Sequence, residues 1–130
     1  MNKVLYPIAV VIFCVMGTFA QKQGQPKTDS LLSILKTARP DTSRVNTLNA
    51  LAFEFRNINP DTAVYFASQS RELAVRLNYK FGLANSYLYL GIASINLGNY
   101  EKALKFSNDA LRIYDQLLQS LITSGNVKTA

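Results

Sequence analysis

The sequence lacks the residues from which catalytic and metal sites are most often built. It contains no histidine, and among its 130 residues the only cysteine is Cys14. Zinc sites made of cysteine and histidine are therefore excluded, and so are pairs in which histidine activates a serine or cysteine nucleophile. A lone cysteine forms no disulfide within the chain, so the stability of the fold must come from packing.

Acidic residues are also few, and their positions do not suggest catalysis. The eight of them are scattered, and no spacing strongly favours two of them on one helix face. General acid–base catalysis needs such positioned groups. No glycine-rich phosphate loop is present either. We therefore expect no enzymatic activity, no cofactor and no metal site.

The first 20 residues differ in composition from the rest of the chain. Lys3 precedes an apolar run over residues 4–17, and a small residue, Ala20, follows shortly after. This pattern is typical of a secretory signal peptide cleaved near Ala20, which predicts a periplasmic or secreted protein. The run is shorter than the roughly 20 residues of a membrane span, so an uncleaved anchor is the second interpretation.

The remaining sequence predicts an all-α fold. Residues 21–29 are polar and are interpreted as a flexible lead-in, and a short helix over residues 30–39 ends at Pro40. Asp41 or Thr42 is the expected N-cap of the next helix. Apolar residues then recur at helical spacing, with breaks at "NINP", "NYKFG" and "LGN".

Two segments of this helical region repeat each other. "NPDTAVYFASQS" (residues 59–70) aligns with "NYEKALKFSNDA" (residues 99–110), which places Ala63 with Ala103 at an offset of 40 residues. Upstream, Leu51 aligns with Leu90 at an offset of 39 residues. A repeating helix-turn-helix unit accounts for both offsets, with one residue of difference in the turn.

The second copy, "YLYLGIASINLGNYEKALKFSNDAL", resembles a tetratricopeptide repeat. The positions that carry the resemblance are Tyr87, Leu90, Gly91, Gly98, Tyr100, Ala103 and Ala110. The resemblance implies antiparallel helix-turn-helix repeats that form a short right-handed α-solenoid. It divides the chain into a capping helix (30–39), a degenerate repeat (41–79), a repeat (80–122), and a tail or the start of a further repeat (123–130).

The physical roles of these positions follow from their size and conformational freedom. Gly98 can adopt the left-handed conformation that ends a helix, and Asn99 can cap the next helix. Tyr100 is expected to cover the turn. Gly91 and Ala103 are expected to face each other across a close helix pair, and Ala110 is expected to pack against a following unit.

The resemblance also implies a function, because proteins of this family mostly bind proteins or peptides on a concave surface. Carried over by position, that surface has ten candidate residues: Asn46, Asn49, Phe53, Arg56, Asn57, Asn85, Leu88, Tyr89, Ile92 and Asn96. The asparagines can bind an extended peptide backbone, or they can be ordinary solvated helix residues. We therefore expect a non-catalytic scaffold with a protein or peptide partner.

Other partners and roles follow from charge and context. The chain carries 14 basic and 8 acidic residues, but the basic residues form no stripe, so we expect no nucleic-acid partner. Membrane association is expected only if the first segment stays uncleaved or the chain continues into a span. Self-association through the exposed terminal helix is a further possibility. The alternative function is the N-terminal sensory region of a membrane-bound histidine kinase or transcriptional regulator, which "DSLLSILKTARPDTSRVNTLNALA" resembles.

Overall fold

The computed structural model describes residues 25–125, which form five α-helices and contain no β-strand. The helices are α1 (Gln25–Thr37), α2 (Thr42–Phe55), α3 (Pro60–Arg76), α4 (Lys80–Asn96) and α5 (Tyr100–Thr123). The predicted all-α class is confirmed for this part of the chain. The predicted signal peptide (1–20), residues 21–24 of the lead-in and residues 126–130 of the tail lie outside the described residues. Within residues 25–125, every helix is too short or too polar to cross a membrane.

Side chains of the residues just before three helices fix where those helices begin. Asp41 accepts a hydrogen bond from the backbone N–H of Arg44 at 3.2 Å, so Asp41 rather than Thr42 is the N-cap of α2. Asn59 caps α3 and Asn99 caps α5 by the same kind of bond, each at 3.1 Å.

Helix α1 starts earlier than predicted. It begins at Gln25, so residues 25–29 are helical and the flexible lead-in expected there is wrong. An ion pair explains the difference, because Lys27 Nζ lies 2.6 Å from Glu54 Oε1 on α2 and ties the first turn of α1 to the next helix. Proline is also well tolerated in the first turn of a helix, where its missing N–H has no partner to lose.

The helices pack in chain order, and α2 also contacts α4. Helices α2 and α4 run in the same direction, because Asn49 reaches Gly82 near the start of α4 and Asn96 at its end reaches Arg56 just after α2. The main hydrophobic cluster joins α2, α3 and α4 through Leu48, Leu51, Ala52, Phe66, Ala67 and Leu90. The core therefore lies around the α2–α3 pair, with α4 packed across it.

Four of the seven structural repeat positions are buried. Leu90, Gly91, Ala103 and Ala110 are buried, and Tyr87 is half-buried against the ring of Phe106. A Cβ atom built on Gly91 would lie 3.5 Å from the carbonyl oxygen of Ala103, so α4 and α5 approach closely there. Gly98 has a φ of 75° and ends α4 in the left-handed conformation.

Two of these positions differ from expectation. Tyr100, the first residue of α5, is 71% exposed, so it is not packed into the turn as expected. Ala110 is buried within the α4–α5 pair itself, and it is not an exposed contact point for a following unit.

Candidate protein-binding surface

The ten candidate groove residues lie on or just after the two parallel helices α2 and α4, and their asparagine side chains are hydrogen-bonded within the protein. Tyr79 Oη donates to Asn46 Oδ1 at 3.1 Å, and Asn49 Nδ2 donates to the carbonyl oxygen of Gly82 at 3.0 Å. At the other end, Asn96 Nδ2 donates to the carbonyl oxygen of Arg56 at 2.6 Å. These bonds form a polar seam that fixes α2 against α4.

Two asparagines are therefore corrected from ligand contacts to structural contacts. Asn49 is only 4% exposed, and it lies inside the seam because the backbone of Gly82 approaches it closely. Asn85 lies on the side of α4 that faces α5, where it accepts a hydrogen bond from Tyr114 Oη. Burial raises the pKa of Tyr114 above its ordinary value, and the nearby phenol of Tyr89 adds to this rise.

An aromatic cluster stands at the centre of this surface. Phe53 on α2 and Tyr89 on α4 meet edge to face, with ring centroids 5.9 Å apart. The guanidinium of Arg56 lies 3.6 Å from the centroid of the Phe53 ring and donates to the Phe53 carbonyl oxygen at 2.5 Å. Such cation–π contact and hydrogen bonding hold Arg56 in one orientation. We call Phe53, Arg56 and Tyr89 the aromatic cluster.

The positive charge of Arg56 is not paired with a carboxylate among the described residues. Within residues 27–125 its guanidinium forms no salt bridge, and the neighbouring Glu54 is paired with Lys27 instead. Helix α4, which forms the other side of the surface, contains no acidic residue. The surface therefore combines exposed apolar groups with one oriented cation, an arrangement that can contact apolar side chains and pair with one anion.

The other candidate residues extend this surface along both helices. Leu88 is exposed, Ile92 is half-buried, and Asn57 and Asn96 are exposed and bonded to each other at 3.2 Å. Sequence analysis missed Phe81 and Ile95, which are exposed on the same side of α4 as Leu88. Their spacing of seven residues either side of Leu88 is the signal that identifies them, because such residues share one face of a helix.

Apolar exposure continues from α4 onto α5. Eight large side chains on these two adjacent helices are each 37–71% exposed, and we call them together the end face: Phe81, Leu88 and Ile95 on α4, and Tyr100, Leu104, Leu111, Leu118 and Leu121 on α5. Contiguous exposed apolar surface of this kind marks interaction sites in soluble proteins.

Comparison of the chain with family models, curated proteins and solved structures finds no match. Within residues 25–125, no group of three or more acidic, histidine or cysteine side chains is placed to hold a metal ion.

Proposed function

We propose that this chain is a non-catalytic protein–protein interaction module, built as a short right-handed α-solenoid of tetratricopeptide-like repeats. Its aromatic cluster binds a peptide or protein segment, and the module acts as an exported scaffold. The observation that carries the proposal is the exposure of Phe53 beside an oriented Arg56 that lacks a carboxylate partner among the described residues.

Preorganisation supports this role. The asparagine and tyrosine bonds of the seam hold α2 and α4 at a fixed spacing, so Phe53 and Tyr89 need not be ordered when a partner binds. Binding loses less free energy when the contact groups are already fixed. Tyrosine and arginine are also enriched among residues that dominate binding energy at protein interfaces.

The chemistry of the cluster defines its partner. A segment that fits has an apolar side chain to contact Phe53 and a carboxylate to pair with Arg56. A bidentate arginine–carboxylate pair adds geometric specificity as well as free energy. Helix α4 adds no acidic residue that would repel such a segment.

A displayed random-peptide library, selected against the purified protein, tests the proposal. We expect the selected peptides to combine an aromatic or aliphatic residue with a nearby Asp or Glu. One synthetic peptide of the selected sequence then serves as the probe in calorimetry. Arg56→Glu is expected to weaken its binding by about 100-fold, because like charges then face each other in the contact.

Tyr65→Ala is the matched control, because Tyr65 is an exposed aromatic residue on α3, outside the surface formed by α2 and α4. It should leave the affinity unchanged. The proposal is wrong if Arg56→Glu and Tyr65→Ala change the affinity equally, or if the library yields no peptide that shifts the amide resonances of α2 and α4.

A further inference from the structure

The end face corresponds to a surface that is covered in the preceding helix pair. On α3, Ala67 and Ala74 are fully buried, and both belong to core clusters that include or contact leucines of α4. The residues 40 positions later on α5 are Ser107, which is exposed, and Tyr114, which is half-buried. The side of the α2–α3 pair that carries Ala67 and Ala74 is therefore covered by α4. The equivalent side of the α4–α5 pair, which carries Ser107 and Tyr114, is open.

The large side chains of the end face form two rows with a spacing of seven residues. Seven residues are close to two helical turns, so each row runs along one side of its helix. Each row is symmetrical about its middle leucine: Phe81, Leu88 and Ile95 on α4, and Leu104, Leu111 and Leu118 on α5.

The two middle leucines lie at the same level of the antiparallel helix pair. Asn85 is bonded to Tyr114, and a Cβ atom on Gly91 would lie 3.0 Å from Ser107 Oγ. Midway between these two contacts, residue 88 of α4 is level with residues 110 and 111 of α5. Both rows therefore share one centre of symmetry, as a two-fold interface requires.

We propose that the end face binds the end face of a second copy of this chain, with a two-fold axis that passes between the Leu88 and Leu111 pairs. Each α5 then runs antiparallel to the α5 of the second copy, and each α4 runs antiparallel to the other α4. Four helices form the contact. The interface is isologous, because the same residues contribute from both copies.

The side chains of α5 match in this register. Leu111 meets Leu111 of the second copy at the axis, and Leu104 meets Leu118 on either side. Between these layers, Ser107 lies level with Asp115 of the second copy and Asn108 lies level with Tyr114, so a smaller side chain meets a larger one each time. A parallel arrangement would instead place tyrosine against tyrosine and serine against serine.

The charges around the leucine row agree with this occupant. Lys105 and Arg112 each follow a leucine of the row and so lie about 100° around α5 from it. Arg112 is paired with Asp109, which lies farther round the helix still. Asp115, at the edge of the row, lies level with the neutral Ser107 of the second copy. A specific interface of the usual size buries about 1,600 Å² in total, so both helices of each copy are needed in the contact.

Sedimentation of the protein expressed from its full sequence, over a range of concentrations, tests the dimer. We expect a reversible dimer with a dissociation constant of roughly micromolar order. Leu111→Glu should weaken it by about 100-fold, because two carboxylates meet at the axis. Mixing Leu111→Glu with Leu111→Lys should restore it. Val75→Glu is the control, because Val75 on α3 is exposed to a similar extent as Leu111 (59% and 66%) but lies outside the end face.

The sedimentation results test the dimer once circular dichroism shows that the variants remain helical. A wild-type monomer at all concentrations overturns the proposal, as expected if the end face is instead covered by a helix of a further repeat. A dimer that Leu111→Glu and Val75→Glu weaken equally also overturns it.

Cross-linking tests the register separately, in chains that carry Cys14→Ser. Leu104→Cys mixed with Leu118→Cys should form a disulfide between copies on oxidation, whereas Leu104→Cys alone should not. The antiparallel register brings residues 104 and 118 together and keeps the two copies of residue 104 far beyond disulfide distance. Cross-linking of Leu104→Cys with itself would overturn the antiparallel arrangement.

Discussion

The two helix pairs carry the same sequence pattern but bury different amounts of it. In the α2–α3 pair, Phe66 belongs to the main core cluster and the following Ala67 is fully buried. In the α4–α5 pair, the equivalent Phe106 packs only at the edge of that cluster, and Ser107 is exposed. The difference arises because α4 covers the first pair, whereas no helix among the described residues covers the second.

Burial in this fold is thus determined by the neighbouring helix as much as by the position in the repeat. The side chains have diverged accordingly. Residues 71 and 74 on α3 are Arg and Ala, whereas their equivalents on α5 are Leu111 and Tyr114. The uncovered pair therefore presents larger apolar groups than the covered pair, which is the opposite of an adaptation to water. This contrast supports the proposed contact with a second copy.

The largest expected difference in stability is between substitutions of Phe66 and of its repeat equivalent, Phe106. Phe66→Ala should lower the free energy of unfolding by about 3–5 kcal/mol, because a large side chain is removed from the core cluster. Phe106→Ala should lower it by about 1–2 kcal/mol, because half-buried side chains lose less transfer free energy. Urea unfolding at one fixed protein concentration measures both. Equal losses would mean that the two pairs are equally well packed.

Ala67 and Ser107, the small residues that follow the two phenylalanines, give the second comparison of stability. Ala67→Leu should destabilise the fold by about 3 kcal/mol or more, because the fully buried site between α3 and α4 has no room for a larger side chain. Ser107→Leu should destabilise it by no more than about 1 kcal/mol, since Ser107 is exposed even though its hydroxyl lies against Gly91 of α4. The same urea measurement applies, at a concentration below that of dimer formation. A large loss in Ser107→Leu would show that the end face is less open than described.

Short-range features of this fold were predictable, and long-range ones were not. The caps at Asp41 and Asn99 depend on bonds to residues only three positions away, so the sequence locates them directly. The start of α1 depends on Lys27 contacting Glu54, which is distant in the sequence. No local pattern encodes that contact, so the helix begins before the predicted residue.

The candidate surface also depends on contacts between residues that are distant in the sequence. Periodicity places Asn46, Asn49 and Asn96 on the correct sides of α2 and α4. Periodicity does not distinguish a helix side that faces a ligand from one that faces a neighbouring helix. Here α2 and α4 contact each other along the side that carries these asparagines. Only the three-dimensional arrangement shows that these asparagines hold the surface together while Phe53 and Arg56 remain open to a partner.

Glycine substitutions compare the contact of α4 with α2 and the contact of α4 with α5. The repeat pattern emphasises Gly91, but a Cβ atom on Gly82 would lie 2.5 Å from both Val45 Cγ1 and Tyr79 Cδ1. Gly82→Ala should therefore destabilise the fold by about 1–3 kcal/mol. Gly91→Ala should change stability by no more than about 0.5 kcal/mol, because the Ser107 hydroxyl can rotate away and the unfolded chain loses entropy.

Thermal unfolding of both alanine variants measures this difference. Gly98→Ala provides a reference, since its left-handed φ of 75° adds backbone strain with no atom within 4 Å of the new Cβ. A Gly91→Ala variant that unfolds at a lower temperature than Gly82→Ala would contradict the comparison.

The smallest effect concerns Tyr114, whose counterpart in the covered pair is Ala74. Tyr114 Oη donates to Asn85 Oδ1, and replacing it with Phe should lower the free energy of unfolding by about 1 kcal/mol at pH 8. Burial, with a contribution from Tyr89, raises the pKa of Tyr114 in the folded state, so the folded protein holds the proton more tightly. The stabilisation is then complete below the ordinary tyrosine pKa of about 10 and is lost as pH rises through the folded-state value.

The stability difference between wild type and Tyr114→Phe should therefore shrink between pH 9 and pH 11 (about one unit either side of the ordinary tyrosine pKa). The other tyrosines are common to both proteins, so their titration cancels in the comparison. A difference that stays constant over this range would show that Tyr114 ionises alike in the folded and unfolded chains. In that case the hydrogen bond to Asn85 would add no pH-dependent stability, and Tyr114 would stabilise the α4–α5 contact through its ring, which meets Phe81 edge to face at 6.4 Å.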